Sequence, residues 1–442
     1  MAMNTRKRIN ISENHLSLVW RRLLGKELTT EEGWRLKLMY PGRINGDSGP
    51  DFRDAVIAVS NSNIVKGDVE IHVNASDWHS HGHHCDPAYN NVILHVVVRH
   101  NTKSATLRQN GKLVQEVCLS PKLWHQAYLI PYHQLPCLPA VKHRDKRALL
   151  GLLNIAGEER FRHKAALFQA GLLREEAGQV LFQGMMRALG YSKNSESFEQ
   201  LARRVPLSFV EGMKPRGDLS LKQAWLLGMA GLLPGQRERG EFSKENGVRE
   251  LEQIWRLVGK AADTMGENDW HLSHVYPNNS PVRRIVAQSY LLQRYWGKGL
   301  LKGILQLVME APLITGIRLM EKGLIVFGDG YWQDHFDFDV SSRTRRSALL
   351  GHGKAAEMIV NVILPFAFAW GGIADKPELR EKAVTLYQYH PKLAENEITR
   401  HMERQLCLEH TCDLTACLQQ GLIHIFRNYC REGNCARCPL GN

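Results

Sequence analysis

The chain has 442 residues, 43% of them hydrophobic and 23% charged, a composition that excludes a disordered or fibrous protein and is large enough for two hydrophobic cores. Its formal net charge of +12 favours a polyanionic partner such as nucleic acid. No run of 18 or more apolar residues occurs, and the most apolar stretch, 358–372, holds Pro365, so a buried helix is expected there and no membrane span.

Residues 12–24 place Leu16, Val19, Trp20, Leu23 and Leu24 at helical spacing behind a Ser12 N-cap. A strand-and-turn region follows. Residues 35–40 alternate, 41–50 are rich in turn formers, and 55–60 are β-branched; 61–63 form a turn before a charged strand over 64–73. Residues 89–99 are apolar throughout, as in a strand buried on both faces. Residues 105–108 and 113–119, split by Asn110-Gly111, predict a β-hairpin. From about residue 146 the period becomes helical, over 147–156, 158–170, 175–190, 219–232 and 283–296, then 354–370, 376–389, 395–408 and 414–428; a short non-helical region is expected near 315–340. The expected organisation is an α/β N-terminal domain over 1–135 and a mostly α-helical C-terminal domain over 145–442, joined by a proline-bearing segment near 131–144.

The chemistry concentrates in the first domain. Seven of the twenty histidines fall within 72–100. On the strand over 67–73, Asp68, Glu70 and His72 are spaced by two and share one face, while Val69, Ile71 and Val73 share the other. Asp51 precedes the neighbouring strand, and the eighteen residues between it and Glu70 suffice for two strands and a turn. Converging carboxylates suit Mg²⁺ or Mn²⁺, with His72 placed to activate a water and Glu13 to assist. The competing expectation is a solvated strand face paired with lysines and arginines. A second group, His79, His81, His83, His84 and Asp86, offers accessory ligands or a polar loop capped by Asp86-Pro87. His95 is a buried histidine that could orient the site, and core packing is expected for Trp78 and Tyr89.

Pro50-Asp51, a hairpin and Glu70-Ile71-His72 resemble the motif of the PD-(D/E)XK nuclease superfamily, in which the first helix adds an acidic residue, here Glu13. The resemblance implies a restriction-endonuclease-like αβββαβ core and metal-dependent phosphodiester hydrolysis, with Asp51, Glu70, His72 and Glu13 at the centre. His72 stands where the superfamily has lysine, so an inactive nucleic-acid-binding or scaffolding protein is the alternative. The chain also resembles the family called domain of unknown function 2851. That likeness rests on Tyr40-Pro41-Gly42-Arg43, Gly49-Pro50-Asp51-Phe52, the 67–73 segment, Ser76-Asp77-Trp78, the blocks 81–84 and 86–90, and residues 419–424. It brings no function with it.

Six of the nine cysteines lie in the last 36 residues. The start of the chain is basic but no apolar leader follows it, so a cytoplasmic protein is expected and its cysteines as thiols or metal ligands. Cys430, Cys435 and Cys438 have a spacing that suits Zn²⁺ or an iron–sulfur cluster, with Cys417, His424 or Cys412 as fourth ligand. Some PD-(D/E)XK nucleases carry such a C-terminal iron–sulfur staple, and reduced thiols are the plain alternative. Basic pairs at 21–22, 142–147, 203–204, 283–284 and 343–346 would grip a phosphate backbone if they converged. A small-molecule metallohydrolase working through the histidine loop is a third expectation.

Overall fold

The computed structural model describes residues 13–45, 48–59, 63–119, 137, 141, 144–191, 193–213, 218–237, 245–260, 262–272, 275, 277–313, 315–338, 340–341, 348–408, 414–432 and 434–441. The expected Ser12 cap, Cys412, Lys142-His143, the 343–346 arginines and nearly all of the proline segment lie outside them. Contacts group the chain into two units. The first is 1–153 with 395–411 and 422–442; the second is 154–394 with 412–421. A single helical domain over 145–442 was expected. Instead the C-terminal cysteine segment groups with the sheet.

The first unit is built on α1 (Glu13–Arg22) and a seven-stranded sheet. Its strands are β1 (Glu27–Thr29), β2 (Arg35–Tyr40), β3 (Arg43–Ile44), β4 (Phe52–Val59), β5 (Asn63–Ile71), β6 (Val92–Val97) and β7 (Gln115–Cys118). The order is β1-β2-β4-β5-β6-β7, with β3 at the end of β4. Strands β2, β4 and β5 form an antiparallel meander, whereas β5, β6 and β7 are parallel. The crossover from β5 to β6 holds α2 (Asp77–Ser80) and two 3₁₀ turns, His83–Cys85 and Pro87–Tyr89. The expected hairpin forms at its tip, where Leu107 bridges Leu113 and the N–H groups of Arg108 and Val114 donate to Lys112 O and Thr106 O, while residues 115–118 pair with β6 instead.

Alternation divides the sheet into two chemistries. Val69 and Ile71 of β5, Leu94 and Val96 of β6 and Val117 of β7 pack with Leu16, Val19 and Trp20 of α1 and with Leu23 just after it. The Trp20 indole N–H donates to Pro41 O at 2.9 Å and fixes the helix on the sheet. On the other face, Glu70, His95 and Glu116 are register partners across three adjacent strands. All three are buried, as are Asp68 and His72. Both faces of β5 are therefore covered over residues 67–71, which a solvated charged face would not allow.

Two local devices aim this row. Strand β4 slips register against β5 between Phe52 and Ala55, and Asp54 at the bulge has φ of 60°. The Asp54 N–H donates to Asp68 Oδ1 at 3.0 Å, so Asp68 holds the bulge. Gly67 lets the returning crossover touch β5: a Cβ there would meet Asn91 O at 2.5 Å and the Ile93 side chain.

The second unit is helical, as expected, with one large core. The two expected helices over 147–170 are one, Lys146–Leu172. The helices Ser195–Arg204, Asn246–Val258 and Leu300–Glu310 were not foreseen, and Gly316–Leu324 is helical within the region expected to be non-helical. Strands His335–Asp337 and Val340–Ser341 do form there. Residues His352–Ile373 make one helix, long and apolar enough by length and composition to cross a membrane, with 61% of its most apolar window buried. A π turn at Ile359–Ile363 lets the helix continue through Pro365. Arg283 and Arg284 are buried and donate to the carbonyls of His335 and Leu349, so they are structural cations.

Substituting Gly67 tests the close approach. Gly67→Ala is expected to cost about 1–3 kcal/mol and lower the denaturation midpoint of the sheet unit. An unchanged midpoint would mean that the crossover does not press on β5.

Candidate metal centre

Asp51 and Glu70 meet because β4 begins where β5 ends. The Asp51 N–H donates to Glu70 Oε2 at 2.9 Å, and the Ile71 N–H donates to Asp51 Oδ2 at 3.0 Å. Each carboxylate thus clasps the other's strand. The second Glu70 oxygen, Oε1, lies 3.4 Å from His72 Nε2 and 3.3 Å from His83 Nε2.

His72 Nε2 is also 3.2 Å from His81 Nδ1 and 3.3 Å from His83 Nε2. One imidazole nitrogen cannot make three hydrogen bonds in its ring plane, since it offers either one N–H or one lone pair. Four ligand atoms around a tetrahedral ion at 2.0–2.1 Å would stand about 3.3–3.4 Å apart. The separations around His72 Nε2 and between Glu70 and His83 match those edges, while Glu70 falls outside the set whose ligand atoms all lie within 4.8 Å of one another. His72, His81 and His83 form a three-histidine group with ligand atoms mutually within 4.8 Å.

The other nitrogen of His72 fixes the proton assignment. Its Nδ1 is 2.9 Å from His95 Nε2, and His95 Nδ1 is 3.1 Å from Glu116 Oε2. With Glu116 ionised, His95 donates from Nδ1 and accepts at Nε2, so His72 must donate from Nδ1. The His72 Nε2 lone pair then faces the gap, as a metal ligand requires. Glu116 also pairs with His100 and accepts from Thr106 Oγ1 at 3.3 Å. Burial alone would raise the Glu116 carboxyl, but the hydrogen bonds from His95 and His100 outweigh it and hold it below the usual range.

Aromatic packing holds the rings. Tyr89 stacks on His83 with centroids 3.9 Å apart, and Trp78 packs against His83 and His95. Burial pushes His72 down to about 2, with His95, His83 and His81 adding to the effect. The ring is neutral, which is the ligand form. Burial raises Asp51 to about 7, with Glu70 adding and the Ile71 N–H opposing. Glu13, at the exposed start of α1, has a raised pKa from desolvation, opposed by His81 and raised further by Glu70 and Asp77. Glu13 and the exposed His81 mark the open side of the centre.

A family model described as a protein of unknown function (DUF2851) matches residues 13–396. The chain belongs to the DUF2851 family. No curated protein and no solved structure matches it. Every member of the histidine–carboxylate centre of this DUF2851 protein lies inside the matched residues, while Cys430, Cys435 and Cys438 lie beyond them.

Several expectations change with the geometry. His72 is 1% exposed and engaged at both nitrogens, so it is a ligand or anchor and no free base. His84 packs on His79, and Asp86 accepts from Ala88 N at 2.8 Å as a turn cap, so neither joins the centre. Asp68 serves the bulge. Cys417 belongs to the second unit, its Sγ 3.7 Å from Asn154 O, and is removed from the cysteine set. The His424 ring meets the Asn428 amide at 2.9 Å and is occupied there. Glu116 and His100 were missed; the signal was a lone acid in the apolar run 113–119.

The raised Asp51 carboxyl has a consequence for the metal-free protein. Its ordinary value of 3.8 applies when unfolded, so the folded state holds the extra proton between about pH 4 and 7. The stability this contributes is complete below pH 4 and lost as pH rises through 7. Asp51→Asn, which mimics the protonated form and still accepts from Ile71, is expected to raise the melting temperature by a few degrees at pH 8 and hardly at pH 4.5. Equal shifts at both pH values would contradict the placement.

Proposed function

We propose that this protein is a divalent-metal-dependent phosphodiesterase acting on nucleic acid, with DNA as the favoured substrate. The observation that carries the reading is the meeting of Asp51 and Glu70, at the abutting ends of two antiparallel strands, beside three converging imidazoles. The order of elements agrees with the PD-(D/E)XK resemblance: a helix bearing Glu13, three antiparallel strands, a crossover and a parallel strand. Two features depart from it. The crossover has only short helical turns, and His72 is locked to His95 where a lysine would stand.

Imidazole ligands suit Zn²⁺ or Fe²⁺ best and accept Mn²⁺ more readily than the harder Mg²⁺. Of the two ions expected from the carboxylates, Mn²⁺ therefore fits better. Glu70, His72, His81 and His83 would hold the ion, which supplies a Lewis acid and an acidified water. Asp51, whose carboxyl is raised by burial and by Glu70 in the metal-free protein, would accept a proton from that water. Glu13 stands at the open side, where a substrate enters. The net charge of +12 supports a polyanionic substrate. So does a cavity of about 510 Å³ near the far end of α1, lined by Arg21, Arg22, Arg400 and Arg404 among three glutamates. Arg203 and Arg204 pair with Glu199 and Asp263 and add little to such a surface.

The second reading is a nucleic-acid-binding or scaffolding protein without catalysis, favoured by the burial of His72 in the lysine position. Incubation with plasmid and single-stranded DNA under Mn²⁺, Zn²⁺ or Mg²⁺ separates the two. Cleavage is expected with Mn²⁺, lowered about 10–100-fold by His95→Ala and more by Glu70→Ala. Salt-sensitive DNA binding with no cleavage under any ion would select the second reading. Hydrolysis of a nitrophenyl phosphodiester alone would select a small substrate.

A further inference from the structure

The first unit brings together four cysteines that no family description assigns. Cys430 ends a π turn, Phe426–Cys430, and Cys435–Arg437 is a 3₁₀ turn that delivers Cys438. The turn is tight: Cys438 N donates to Cys435 O at 3.1 Å, and Gly441 N donates to Cys438 O at 2.8 Å. A Cβ on Gly441 would stand 2.7 Å from Cys435 O. Burial raises the Cys438 thiol, opposed in part by hydrogen bonds from the backbone of Leu440 and Gly441 to its sulfur.

The fourth cysteine comes from nearly 300 residues earlier. Cys137 N donates to Gln405 Oε1 at 3.3 Å, and Cys430 Sγ lies 3.9 Å from Met402 Sδ. Met402 and Gln405 are one turn apart on the helix Glu397–Gln405, so both cysteines flank the end of one helix. Arg144 Nη1 donates to Pro439 O at 3.1 Å and ties the segment after Cys137 to the Cys438 turn. Cys137 is within electrostatic reach of Cys435 and Cys438, and Cys430 of Cys137, Cys438 and Cys435. All four are free thiols. Burial first, and the neighbouring sulfurs second, push Cys137 up to about 12 and raise Cys430. Four crowded thiols, three of them largely removed from water, gain little by hydrogen bonding. A soft cation that displaces their protons would satisfy them all.

We propose that Cys137, Cys430, Cys435 and Cys438 form a four-thiolate metal centre that fastens the C-terminal segment to residue 137. The sulfur spacing favours an iron–sulfur cluster. A single tetrahedral zinc draws its sulfurs to about 3.8 Å from one another, and among the described residues no three of these four sulfurs lie within 4.8 Å. The centre is independent of the histidine site and of the reaction proposed for it.

The test uses the full-length protein, purified without oxygen, and measures iron, zinc, acid-labile sulfide and absorbance at about 400 nm. Iron with stoichiometric sulfide is expected. It should be lost in Cys137→Ser and in Cys435→Ser, whose side chain is exposed and whose removal spares the core. It should survive in Cys417→Ser and His83→Ala. One zinc per chain with the same dependence would uphold the four-thiolate centre and overturn the cluster. Absence of both metals, or undiminished metal in folded Cys137→Ser or Cys435→Ser protein, would overturn the centre itself.

Discussion

One nitrogen atom constrains the first unit more than any other. His72 Nε2 has Glu70 Oε1, His81 Nδ1 and His83 Nε2 within 3.4 Å, in a place water barely reaches. Neutral imidazoles cannot satisfy one another in that arrangement, and a protonated one would face His95 as well. A shared cation, as proposed, would resolve the conflict by replacing several frustrated contacts with ligand bonds. The fold carries the consequences outward. The parallel pairing of β5, β6 and β7 sets Glu70, His95 and Glu116 in one row, and that row decides which His72 nitrogen keeps its proton.

The same constraint explains features that look costly alone. The left-handed Asp54 and the β4 bulge let Asp51 and Glu70 reach across to each other's backbone. The short crossover places His81 and His83 over the end of β5, where a long helix would carry them away. Tyr89 and Trp78 fill the space around the imidazoles and limit their rotation. Local strain and buried charge are concentrated where β4 begins beside the end of β5 and on the face they share with β6 and β7, while the α1 face is conventionally apolar.

The sequence carried the sheet unit well where period and neighbours agree. Alternation put Asp68, Glu70 and His72 on one face, the apolar run gave β6, and Pro50-Asp51 marked the start of β4. It did not reveal that this face is buried, because burial depends on a crossover whose path no local pattern encodes. Nor could spacing show that His81 and His83 converge on His72 while His84 and Asp86 turn away; 3₁₀ turns make that choice. Glu116 was hidden because residues 113–119 suggested a hairpin strand; the turn does form, but residues 115–118 go on to pair in parallel with β6. Cys137 drew no attention for a different reason: the cysteines proposed as its partners lie almost 300 residues away, and Cys417, which groups with the second unit, stood nearer to them in sequence.

The central claim is that a cation belongs between His72, His81, His83 and Glu70. Anomalous diffraction from crystals soaked in Mn²⁺ tests it directly, since scattering from the ion locates it without reference to activity. The account predicts one strong peak at about 2.0–2.3 Å from His72 Nε2, His83 Nε2 and a Glu70 oxygen, absent in His83→Ala crystals. A hydrogen-bonded histidine network with no peak at saturating Mn²⁺ or Zn²⁺, or a peak held only by surface carboxylates, would contradict it.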